Sequence, residues 1–185
     1  MRLFKTILSK EFVEIFNNKL LVFTVIAPLV ILPILPLAAA YTTTLDIDPI
    51  TAEDVKLFVE KVPQWASLPP QDVFQVVILQ QMMTFFLIIP LIVPLSIAAF
   101  SIIGEKKAHT LEPLLATPVS TASILVGKSI AAGTPGLVAT WLSYALSLVG
   151  LRFIIISQTA WRVIAGPVWW VAMGLVAPLL TFFSV

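Results

Sequence analysis

GEKKAHTLEPLLATPVSTASILVGK, residues 104–128, is the one long polar interruption in the middle of an otherwise apolar chain. It holds Glu105, Lys106, Lys107, Glu112 and Lys128, together with the only histidine, His109. Its centre reads as a short helix. Thr110 can cap the N-terminus through its hydroxyl. Glu112 falls in the first turn, where the helix dipole favours a carboxylate, and Pro113 falls there too, where a missing N–H costs little. Thr117 precedes Pro118 and is pushed out of helical geometry, so the helix is expected to stop near Ala116. Leu111, Leu114 and Leu115 have i, i+3, i+4 spacing and share a face. A helix of under two turns is not stable alone, so these leucines are expected to bury against another surface.

Outward from this segment the chain loses its charges. Val73–Ile103 runs 31 residues without one, and Ser129–Leu151 another 23. Further out lie Leu20–Tyr41 with 22 and Val163–Val185 with 23. About 20 apolar residues cross a ~30 Å hydrocarbon core as a helix. Hydrophobic residues make up 59% of the chain and charged ones 11%, against roughly 45–50% and 25% in a soluble domain; mean hydropathy is +1.03. The expected fold is an all-α polytopic membrane protein, an N-terminal interfacial amphipathic helix followed by four transmembrane helices. The expected divisions are 1–19 for the amphipathic helix, 20–41 for the first span, 42–72 for an external loop and 73–103 for the second span. They continue with 104–128 for the polar segment, 129–151 for the third span, 152–162 for a second external loop and 163–185 for the fourth span.

Within these divisions several patterns stand out. Phe4, Leu8, Phe12, Ile15 and Phe16 give residues 2–18 an apolar face with the charges largely elsewhere, suited to the headgroup layer. Pro28, Pro33 and Pro36 are expected to kink the first span, and Pro90 and Pro94 to make the second either kinked or discontinuous. As one helix, Val73–Ile103 would be about 46 Å long, so its start, with Gln75, Gln80 and Gln81, is expected at an interface or facing the bundle. Gly127, Gly133, Gly136 and Ala132 allow close helix approach. Trp169 and Trp170 suit an interfacial belt or a bundle face. In the first loop Thr51 and Asp54 have capping-box spacing, and six carboxylates face two lysines. That loop lacks the glycine and closing glutamate of a calcium site.

The string from Glu105 through Thr110-Leu-Glu, Leu114-Leu115, Thr117-Pro118-Val-Ser120 to Gly127-Lys128 resembles the signature of the type-2 family of ATP-binding-cassette transporter permeases. In this chain His109 stands where that family commonly has glycine, and Pro113 follows the Thr-Leu-Glu. The resemblance implies a coupling segment that docks on a separate cassette ATPase subunit, with Glu105, Thr110, Leu111, Glu112, Leu114, Leu115, Thr117 and Pro118 as its contact residues. It also implies an elbow helix before the first span, a second permease copy or homologue as dimer partner, export as the direction, and six spans. The apolar run reaches Val185 with no polar anchor after it, so these would be the first four of the six.

Four Lys or Arg residues precede the first span and three lie in 104–128, against four in the two remaining loops. This bias places the N-terminus and the polar segment in the cytoplasm of a prokaryotic-type cell membrane. No span so divided contains Asp, Glu, Lys, Arg or His, which argues against ion-coupled carriage and intramembrane catalysis. Gly127-Lys128-Ser129 imitates the end of a phosphate loop, but Ala122 stands where its first glycine belongs. There is no cysteine for a thiolate site, and a net charge of +1 carries no nucleic-acid message. The expected chain is therefore a transport subunit and not an enzyme, with no cofactor of its own; ATP and Mg belong to its partner. The alternative is a membrane scaffold, an assembly factor or an inactive permease fragment that holds a cytoplasmic partner.

Overall fold

The computed structural model describes residues 2–45, 50–107, 109, 121–154 and 158–185, and the regular structure among them is helical. Helix α1 (Arg2–Asn17) is followed at once by α2 (Lys19–Thr44); Asn18 Oδ1 accepts the Leu20 N–H at 3.0 Å and starts the second helix. A short helix α3 (Ala52–Lys61) and a 3₁₀ turn at Pro63–Trp65 lead to α4 (Pro70–Thr84), which passes through a 3₁₀ turn at Phe85–Ile88 into α5 (Ile89–Lys107). Helix α6 (Thr121–Ile154) is the longest, with 34 residues. Then come α7 (Gln158–Ile164), α8 (Pro167–Val171), a π turn at Ala172–Val176 and α9 (Ala177–Ser184). Four stretches, Lys19–Thr44, Pro70–Gly104, Leu125–Ile154 and Gln158–Ser184, are long and apolar enough to cross a membrane.

Helix α6 is the centre: α1, α2, α5 and α9 all pack on it. Most residues on its buried face are small, with Lys128, Tyr144 and Leu151 the large exceptions. Ala131, Ala132, Ala139, Thr140 and Ser143 are buried, while Leu142, Leu146, Val149 and Phe153, at i, i+4, i+7 and i+11, form an exposed stripe. A soluble helix would bury the large residues; here small ones face in because helices in lipid gain from close backbone approach and not from hiding leucine. A Cβ on Gly136 would stand 2.8 Å from Pro94 Cγ on α5, and one on Gly133 would stand 2.7 Å from Thr181 Cγ2 on α9. Only glycine admits those neighbours. On α2, Phe23, Ile26, Val30 and Ile34 make a second exposed apolar stripe.

The prolines cost backbone partners, and α6 supplies replacements. Pro33 has no N–H for the Leu29 carbonyl four residues back; Ser143 Oγ lies 3.3 Å from that oxygen and 3.5 Å from Pro28 O. Its one hydrogen serves two acceptors at a length long for an O–H···O bond, so the contact is weak. The π turn gives a firmer case. Ala177 N–H reaches back five residues to Ala172 O, and Pro178 has no N–H to offer Met173 O. Trp141 Nε1 donates to Met173 O at 2.9 Å instead. At the Gly166–Pro167 break, Tyr144 OH donates to Ile164 O at 3.0 Å and Trp170 Nε1 to Ala165 O at 3.1 Å. The Tyr144 and Trp170 rings meet edge-on with centroids 6.2 Å apart. One turn of α6, Trp141–Tyr144, thus donates to backbone released on two other rods, which lipid could not satisfy. Ser147, one turn on, has a buried hydroxyl without a partner among the described residues.

The second span is helical across its prolines. Ile89 N–H reaches Phe86 O in 3₁₀ fashion, covering the oxygen that Pro90 leaves. Ser184 Oγ lies 2.9 Å from Thr181 O and 3.3 Å from Pro90 O, the carbonyl released by Pro94. Gln75 is buried and donates through Nε2 to Thr43 Oγ1 at 2.9 Å, tying α4 to α2. Residues 152–162, a connection by sequence, contain the first turn of α7, which packs on α4. Trp169 is buried and Trp170 exposed. On α3 the capping box is present: Thr51 N–H and Oγ1 donate to Asp54 Oδ2 at 2.8 and 2.6 Å. These bonds hold the Asp54 carboxyl below its usual range.

Candidate functional site

The polar segment joins two helices that pack against each other, α5 and α6. Helix α5 ends with Lys106 and Lys107 in its last turn, where cations favour the exposed carbonyl end. His109 N–H donates to Lys106 O at 3.3 Å, and His109 has φ 53°. That left-handed conformation closes a helix end and suits glycine far better than a residue with a Cβ. It gives a physical reason for glycine to be common at this position in the resembled family. Of the residues expected to make the docking surface, Glu105 lies in the last turn of α5. Thr110, Leu111, Glu112, Leu114, Leu115, Thr117 and Pro118 lie outside the described residues. The proposed short helix around the three leucines lies outside them too.

What the structure brings together is the pair of helix ends on either side. Lys128 is buried two turns into α6, and its Nζ donates to Ser101 Oγ on α5 at 2.8 Å. The sequence division set Lys128 in the cytoplasmic segment and began the third span at Ser129. The helix begins at Thr121, so the cation belongs to the interhelical contact. A charge in such a place is retained only with polar partners, and Ser101 is one of them. Leu125 and Val126 before it and Ile130 and Ala131 after it were the available signal: Lys128 already stands in apolar context. Ser101 had no such signal, since one serine in an apolar run is ordinary.

Helix α1 completes this end. It packs on α6, and Ile15 is buried. Lys10 Nζ and Glu14 Oε2 are 3.8 Å apart along its exposed side. Between α1 and α5 lies a cavity of about 200 Å³ bordered by Glu14, Asn18, Ser101 and Lys107. Among the described residues no group of three His, Cys, Asp or Glu could hold a metal ion. A displacement of the residues between α5 and α6 would act on two helix ends held together by the Lys128–Ser101 bond, and on α1 packed beside them.

A family model described as ABC-2 family transporter protein matches residues 5–185 of the chain. No curated protein and no solved structure matches it.

Proposed function

The chain belongs to the ABC-2 family of transporter membrane proteins, and from that premise we propose that it is the permease subunit of an ATP-driven exporter, worked by a separate cassette ATPase that docks on residues 104–120. It is an integral membrane protein with four candidate spans. The N-terminus and the docking segment face the cytoplasm, as the Lys and Arg bias requires. Glu105, Thr110, Leu111, Glu112, Leu114, Leu115, Thr117 and Pro118 form the contact surface, with the three leucines as its ridge. ATP and Mg sit on the partner; this chain supplies the path together with a second permease copy.

The observation that carries this reading is the family match along residues 5–185, which takes in all four candidate spans. The Lys128–Ser101 bond supports the mechanical half of it. ATP-driven closure of the ATPase pair pushes the docking segment, and the bonded α5 and α6 ends tilt as one unit. Leu114→Asp tests the assignment. It is expected to abolish co-purification of a cassette ATPase with the chain while leaving membrane insertion unchanged. Retained co-purification would remove the leucine ridge from the docking surface. ATPase association without ATP-dependent solute movement in vesicles would favour the scaffold reading.

A further inference from the structure

The end of the bundle opposite residues 104–121 holds a second and larger cavity, about 430 Å³. The rods alternate in direction, so the turns around Trp65 and Arg162 share this end, and α7 packs on α4 there. Trp65, Gln80, Thr84, Arg162 and Trp169 border the cavity beside the Gly166 break. Its volume lies within the roughly 300–1,000 Å³ of small-molecule sites.

Its charge is one-sided. The cavity beside α1 is bordered by both Glu14 and Lys107, whereas among the described residues no carboxylate borders this one. At the same end Arg152 is engaged, its Cζ 5.4 Å from the centre of the Trp161 ring. Arg162 has no ion pair or hydrogen bond from its guanidinium among the described residues. Thr84 turns its hydroxyl hydrogen onto Gln80 O at 2.9 Å, so the Gln80 amide is one neutral donor of the site, beside the indole N–H groups of Trp65 and Trp169. A guanidinium matches the two oxygens of a phosphate or carboxylate. The two tryptophans, with Val163 and Val168 beside them, offer apolar surface that a small hydrated anion would not use.

We propose that this cavity binds an amphiphile with an anionic oxyacid head, Arg162 pairing with the head and the Trp65 and Trp169 rings packing on the adjoining apolar part. Two sources carry that chemistry: a membrane phospholipid, and a single-chain amphiphile on its way through the protein. The proposal stands on the cavity and does not depend on ATPase docking, so binding is measured on the permease chain without an ATPase.

The experiment is native mass spectrometry of the delipidated full chain titrated with phosphatidylglycerol, phosphatidylcholine and decyl phosphate. Phosphatidylglycerol is expected to bind about tenfold more tightly than phosphatidylcholine, whose choline cation offsets the phosphate that Arg162 would pair with; the factor is about that of one charge-assisted contact. Arg162→Gln is expected to erase that preference and Arg162→Lys to keep part of it. Gln80→Leu, which leaves the guanidinium in place, is expected to weaken it by about threefold, the worth of one neutral hydrogen bond. Decyl phosphate that displaces phosphatidylglycerol at equal concentration assigns the site to a single-chain amphiphile; phosphatidylglycerol held against excess decyl phosphate assigns it to a lipid. Equal binding of the two phospholipids to the unaltered chain overturns the proposal. So does a preference that survives Arg162→Gln.

Discussion

The two halves of α6 are held to their neighbours by different chemistry. Near its start a lysine ammonium meets a serine hydroxyl on α5 at 2.8 Å. In its second half Trp141, Ser143 and Tyr144 donate to backbone carbonyls on α2 and on the last rod. The first contact joins side chain to side chain and involves a charge. It can break and re-form with the helices intact, and it lies beside the segment proposed to receive force. The second set repairs helices that proline and a π turn have opened, and breaking it leaves carbonyls bare in lipid. On the proposed function the first half would transmit a displacement and the second would stay as a frame.

The largest effect expected is at Gly136, near the middle of α6 where it meets α5. Gly136→Val drives side-chain atoms into the Pro94 ring, where a Cβ alone would already stand 2.8 Å from Cγ. Overpacking of this kind costs about 1–3 kcal/mol or more, and the expected result is loss of monodisperse protein after detergent extraction. Normal yield would show that α5 can move away from α6 freely. Next comes Lys128→Met, which removes a charged hydrogen bond of about 1.5–3 kcal/mol. If the transmitting half is distinct, ATPase co-purification stays and ATP-dependent transport falls; loss of both together would make Lys128 a structural residue only.

A smaller effect sharpens the frame. Ser143→Ala is expected to lower thermal stability by about 0.6 kcal/mol, the average of hydrogen bonds between membrane helices. Pro33→Ala restores the N–H that Leu29 O lacks, so Ser143→Ala should cost less in that background. Equal cost in both backgrounds would detach Ser143 from the proline. The smallest effect lies outside the spans, at the Asp54 cap. Its folded pKa is depressed below the ordinary 3.8 by the Thr51 bonds. The stabilisation is therefore present above that ordinary value and lost as pH falls through the folded one. Amide exchange at the start of α3 should quicken only in that acid range, and Thr51→Ala should shrink the step, leaving the part that the backbone N–H bond supplies.

The all-helical membrane architecture was legible because hydropathy reports it directly. Four uncharged runs separated by charged stretches admit little else, and lipid forbids unpaired backbone along a span. The same holds for the α3 cap, whose two partners are three residues apart in the sequence. Glycine spacing at Gly133 and Gly136 marked close approach, yet the neighbours, Thr181 and Pro94, could not be read from it. The candidate site divides in the same way. Its leucines and Thr-Pro steps are local and were read as a local helix, while Lys128 was assigned as the closing Gly-Lys of the signature.

What the sequence by itself determined is therefore what depends on neighbours along the chain: the four apolar runs, the α3 cap and the polar segment between spans. Which proline is answered by which side chain, where Lys128 finds Ser101, and which arginine is left facing a cavity were decided only by tertiary structure. The physical reason is range. Hydropathy and capping act within a few residues, whereas Ser143 and Leu29 lie 114 positions apart, and only the packed bundle brings such donors to the carbonyls that need them.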